Sequence, residues 1–120
     1  MKILTYIAIK NTKNYTMYTF KGTINRVLNN GIINITFDLG FNMTHTTNCL
    51  LHNVAILGDH EEKAGRMLRE LMPLNSLVYV NSVKLDQHGR PIVKIFTFFD
   101  DGHLDKISVN DYLIMENLSW

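Results

Sequence analysis

The stretch LDQHGRPIV, Leu85 to Val93, sets Asp86, His88 and Arg90 around Gly89 between two runs that read as strands. Asp and Gly are turn residues, and Gly takes the positive φ that tight hairpins need. The same stretch raises a question of chemistry. Aspartate, histidine and arginine are all used in nuclease active sites, so the turn is either one side of a catalytic site or simply a hairpin.

Outward from the turn, LVYVNSVKL (Leu77 to Leu85) and IVKIFTFF (Ile92 to Phe99) are the flanking strands, and DDG ends the second. Upstream, KILTYIAI and Tyr15 to Leu28 are strand-like by their β-branched and aromatic content. Asn29 to Gly31 then forms a hairpin signal. In IINITFDL, Ile33, Ile35 and Phe37 alternate with Asn34, Thr36 and Asp38, which predicts one buried face and one wet face. After Gly40, FNMTHTTNCLLHNVAI is expected to supply another long strand and complete a meander.

A helix is expected next, with Asp59 capping its first turn, Glu62 reaching back and Pro73 stopping it. Ala64, Met67, Leu68, Leu71 and Met72 recur at helical spacing as the core face. Lys63, Arg66 and Arg69 fall on another side, as a solvated row paired with Glu62 and Glu70 or as a contact for a partner. A second helix starts at Ser108 as cap, with Val109, Tyr112, Leu113 and Leu118 facing inward. This order predicts one domain over residues 1–120. It is an α+β, five-stranded, partly open OB-type barrel with two main helices, and residues 1–14 are an N-terminal extension carrying an extra strand.

Composition narrows the function classes. The formal net charge of +1, with basic residues spread along the chain, argues against a nonspecific duplex binder. A lone cysteine, Cys49, cannot close an internal disulfide. The apolar opening is interrupted by Lys10 and no small-residue cleavage site follows, so the expectation is a soluble, cytoplasmic protein. Without a secretory signal the NYT, NIT, NMT and NLS sequons read as by-products of an Asn-rich chain. The Asn, Ile and Lys bias fits an AT-rich coding genome, such as that of a virus.

Two local patterns, in this order, resemble the staphylococcal-nuclease-like (thermonuclease) family from about Tyr18 onward. DQHGRP is similar to that family's Asp-x-x-Gly-Arg turn between its last two barrel strands, and VNDYLIMENL, Val109 to Leu118, is similar to its Val-Asn helix. The first strand is an addition, and the family's final helix has no counterpart here. The resemblance implies phosphodiester chemistry in which carboxylates hold calcium, a glutamate activates water and two arginines neutralise charge on phosphorus oxygens.

The matching positions do not carry those groups. The family's acidic hairpin falls on Asn29, Asn30, Gly31 and Ile32; its arginine falls on Asn48, its metal aspartate on Asn53 and its general base on Ile56. Arg90 alone keeps its type. Amides do not supply the negative charge a hard cation needs, and an isoleucine cannot take a proton. A shifted register would instead bring Asp59, Glu61 or Glu62 to the old glutamate's place. The expectation is a barrel without nuclease activity, without a metal and without a cofactor.

His45, Cys49, His52 and His60 are soft-ligand types, but on a strand His45 and Cys49 share one face and His52 takes the other. No metal site is expected there. Tyr15, Tyr18, Phe20, Tyr79, Phe96 and Phe98 are either core or a stacking surface. Arg90, Lys84, Lys94, His88 and Arg66 are the candidate binding residues. Three readings stay open: an inactive module with an oligonucleotide or nucleotide groove near Arg90, a protein-interaction or inhibitor module working through the barrel surface, and, ranked last, an active calcium-dependent nuclease. The extra N-terminal strand offers an edge for a homo-oligomer.

Overall fold

The computed structural model describes residues 5–7 and 17–116. Its strands are β1 (Thr5–Ile7), β2 (Met17–Val27), β3 (Ile32–Gly40), β4 (Met43–Leu51), β5 (Leu77–Leu85) and β6 (Pro91–Thr97). Two helices follow the strands' breaks, α1 (Glu61–Leu71) and α2 (Val109–Met115). The strand order β2-β3-β4-β6-β5 closes through a β2–β5 pairing, which makes a five-stranded barrel of OB type with helices. β1 lies outside it, paired antiparallel with Met17–Thr19 of β2. The remainder of the predicted first strand, Tyr15 and Leu118 lie outside the described residues.

The period-two reading of β3 holds. Ile33, Ile35 and Phe37 are buried and pack with Ile24, Val80 and Ile95 in the barrel core. Gly22 is there because a Cβ on it would lie 2.7 Å from Ile35 Cγ2. α1 and the Met72 that caps its end cover one end of the core with Ala64, Leu68 and Met72, all fully buried, while Met67 and Leu71 pack at the margin.

Three local expectations need correction. β4 ends at Leu51 rather than running to Ile56, because Asn53 turns into the left-handed region at φ 59°. Asp59 does not cap α1. A single 3₁₀ turn, Gly58–His60, intervenes, His60 occupies the cap position without a side-chain bond, and Glu61 and Glu62 stand in the first turn, where the helix dipole favours them. Arg69 is not paired with an acid on its own helix. Its Nη1 donates to Asn29 Oδ1 at 2.8 Å and to Val27 O at 3.3 Å, pinning α1 to the β2–β3 turn. Gly65 permits that approach, since a Cβ there would meet the side chain of Asn29 and lie 3.0 Å from its Cα.

The seam of the barrel is the short parallel pairing of β4 with β6, Leu50 with Ile92 and Leu51 with Val93. His52 N extends it by donating to Val93 O at 2.8 Å. In a regular parallel ladder Ile95 N–H would next bond His52 O. Asn110, buried in α2, takes that place. Its Oδ1 accepts from Ile95 N at 3.1 Å, and its Nδ2 donates to His52 O and Val93 O, each at 3.0 Å. A side-chain amide thus acts as an inserted peptide group and splices α2 into the sheet. Ser108 sets the helix start by accepting from Asp111 N at 3.1 Å, as the sequence predicts. Tyr112 is half-buried, and its hydroxyl donates to the buried Asp105 at 2.7 Å.

Candidate nucleotide pocket

Next to this seam, a cavity of about 320 Å³ opens between the β2–β3 turn, the end of β4 and the facing strands β5 and β6. Gly31, His52, Asn53, Ile56, Lys84 and Ile92 are among its lining residues. Three positions singled out by the resemblance, Gly31, Asn53 and Ile56, are therefore brought together. Gly31 has φ +88°, and a Cβ on it would lie 3.0 Å from Ile56 Cδ1. Where the family would carry an aspartate and a general base, an isoleucine methyl packs against bare backbone. No carboxylate lines the cavity among the described residues. Asp59, Glu61 and Glu62 stay outside its walls.

The electrostatics are set by bases. Partial burial holds the His52 imidazole below its ordinary pKa, and the charges of Lys94 and Lys84 lower it further. His52 is therefore neutral at pH 7, beside a lysine that lines the same cavity. Asn30 also lines the cavity, with its Oδ1 accepting from Ile32 N at 3.2 Å.

Arg90 stands at the end of the opening hairpin. Asp86 Oδ1 accepts from His88 N at 2.9 Å and Arg90 N at 2.7 Å, and Asp86 Oδ2 accepts from Arg90 Nε at 2.9 Å. Asp86 N donates to Arg90 O, Gly89 N donates to Asp86 O, and Gly89 supplies the positive φ of +82°. Burial opposes ionisation of Asp86, but these hydrogen bonds and the nearby guanidinium outweigh it and hold the carboxyl below its ordinary range. The aspartate thus orients Arg90 through Nε alone, and the side chain of Arg90 remains 37% exposed. Strand periodicity puts Arg90 on the face of Ile92, which lines the cavity.

Lys94, opposite Asn81, shares the outer face of β6 with Ile92 and acts on His52 without lining the cavity. The other candidates disperse. His88 is exposed in the turn. Arg66 belongs to a separate cleft with Lys63, Glu70 and Glu116, away from the barrel seam. Asn48 is not in the cavity: its Oδ1 accepts from Asn34 Nδ2 at 2.9 Å. That bond is part of an amide and hydroxyl network on the outer face, in which Asn25 Nδ2 donates to Asn34 Oδ1 and Thr36 Oγ1, and Thr36 bonds Thr46. Sequence reading found the wet face of β3 but not this network; the signal was the same alternation in Thr44, Thr46 and Asn48 of β4.

The aromatics divide between the two sides of the wall. Phe20 and Phe37 meet edge to face at 5.5 Å against the core, whereas Tyr79, paired opposite Phe96 and 6.4 Å from Phe98, is half-buried on the outer face that also carries Lys94. His45, Cys49, His52 and His60 do not converge, and no group of His, Cys, Asp or Glu suited to a metal occurs among the described residues. Burial pushes the Cys49 thiol up to about 12. No helix of the described residues is long and apolar enough to cross a membrane. No family model matches the chain, and no curated protein matches it in sequence.

Proposed function

We propose that this chain is a nuclease-like barrel that binds a nucleotide or a short single strand and does not hydrolyse it. The observation that carries the reading is the cavity beside the seam, where Gly31 and Ile56 make an apolar contact in place of acid and base while Lys84 and His52 line the same space. Lys84, Lys94 and the outer nitrogens of Arg90 are suited to phosphate oxygens. The neutral imidazole and the amides of Asn30 and Asn53 are suited to sugar and base edges. Tyr79 and Phe96, on the outer face beside Lys94, offer a surface for stacking.

Hydrolysis would need a polarised phosphorus centre and an activated water. The cavity offers a lysine and amides, which hold an anion, and no group that takes a proton from water at neutral pH apart from His52. Fluorescence polarisation with labelled DNA and RNA octamers and with a labelled nucleotide tests the reading. Binding should weaken with salt and fall about tenfold or more in Lys84→Ala and in Arg90→Ala. No binding at low salt would sink it, and calcium-dependent cleavage of RNA or plasmid by a clean preparation would overturn the claim of inertness.

A further inference from the structure

A second feature of the barrel has no part in the nucleotide pocket. β4 is paired along its length with β3, but its other edge meets β6 at Leu50 and Leu51 alone. Residues two apart in a strand aim their N–H and C=O groups to the same side. Because His52 N faces β6, the backbone groups of Thr44, Thr46 and Asn48 face that side too, beyond the point where β6 begins. All three residues are exposed, and their edge-facing N–H groups make no hydrogen bond among the described residues. Folded proteins guard such edges with charge, proline or bulges. Here the edge carries two threonines and an asparagine.

Beside it, at the end of the barrel away from α1, lies an apolar cavity of about 350 Å³. His45 of β4 is on one wall and Leu85, Gly89 and Pro91 of the β5–β6 hairpin are on the other, with Phe20 and Phe37 at the base. An unpaired strand edge and an apolar recess therefore share one opening.

We propose that this opening receives an extended peptide segment of a partner protein, which adds a strand to β4 and places one apolar or aromatic side chain in the recess. The unpaired N–H groups, two residues apart, are spaced for a polypeptide backbone, which a nucleic acid cannot match; the Asn48 carbonyl accepts only a long bond, 3.5 Å, from Thr47 Oγ1. The β5–β6 hairpin faces His45 across the recess. A second barrel would bring its own β3 and core along with its β4 edge, so a lone segment is the better fit.

The test begins with selection from a phage-displayed library of random nonapeptides against the full chain, followed by synthesis of the selected sequences and calorimetry. Selected peptides should share an apolar residue flanked by extended-type residues. N-methylation at alternate peptide positions should weaken binding about tenfold per edge-facing amide, while methylation at the intervening positions should not. Hydrogen exchange at Thr44, Thr46 and Asn48 should slow on binding. Thr46→Pro, which removes an edge donor and leaves the β3 ladder its bonds, should abolish binding with the circular dichroism unchanged. The N-methyl series keeps the test valid if that variant unfolds. The inference is overturned if no peptide is selected, if methylation position makes no difference, or if the edge amides are protected instead by a DNA octamer. It is also overturned by a concentration-dependent dimer that protects them in the absence of peptide.

Discussion

Replacing Asn110 by alanine isolates the splice that joins α2 to the barrel seam. The wild-type amide is 1% exposed and makes hydrogen bonds to Ile95 N, His52 O and Val93 O. After truncation Val93 O still accepts from His52 N at 2.8 Å, so its loss is small. Ile95 N–H has no second acceptor, and an orphaned buried donor costs about 1–3 kcal/mol. The weakened His52 carbonyl and the void left by the amide raise the total to about 3 kcal/mol, or a fall of roughly 10 °C in melting temperature. Urea unfolding followed by far-UV circular dichroism reads this directly. Asn110→Asp sharpens the test, because it keeps the acceptor for Ile95 N but turns a second oxygen toward two carbonyls. Its carboxyl should hold a proton more tightly when folded than when unfolded, so this variant alone should regain stability as the pH is lowered from 7 toward 4. A loss below about 1 kcal/mol in Asn110→Ala, together with no acid recovery in Asn110→Asp, would refute the splice.

Gly65→Ala adds a methyl that Asn29 obstructs; despite alanine's helix propensity, it should destabilise by about 1–2 kcal/mol in the same assay, and a gain in stability would show that α1 can retreat from the turn. His52 has a folded pKa below its ordinary value of 6.5, so the unfolded chain takes up the proton first. Stability should therefore fall as the pH drops from 6.5 through the folded pKa, and His52→Gln should flatten that part of a urea-midpoint profile. Cys49, fully buried with its thiol pushed up to about 12, should resist a thiol-reactive chromogen at pH 8 in the native protein and react completely in urea.

What the sequence disclosed follows from how locally each feature is determined. The alternation in Ile33, Ile35 and Phe37 reports burial directly, and the run Leu77 to Leu85 coincides with β5 from end to end. Ser108 was legible because a cap and the N–H it accepts from are three residues apart. The end of β4 was not, because the apolar types of LLHNVAI suit a strand as well as a loop packed on the core, and the left-handed turn at Asn53 decides between them. Arg69 was misread for another reason. Its partners, Val27 and Asn29, lie some forty residues away, whereas the helix offered nearer carboxylates. The cavity was legible in part: Gly31, Asn53 and Ile56 were placed together through the resemblance, but neither the involvement of His52 nor the separation of Asn48 could be read from spacing.

Structural roles also account for three residues of the two patterns on which the nuclease resemblance rests. Asp86 gathers the backbone of its turn, Gly89 supplies the positive φ, and Asn110 bridges strands that would otherwise be one bond short. Any chain that closes this barrel with this hairpin and this helix gains from those same residues, whatever it binds. The positions that match the catalytic ones are drawn into folding as well: Asn29 accepts from Arg69, Gly31 and Asn53 supply positive φ at turns, and Asn48 accepts from Asn34. A search for its ligand is therefore best directed at surfaces that folding leaves unused: the lysine and imidazole beside the seam, and the open edge of β4.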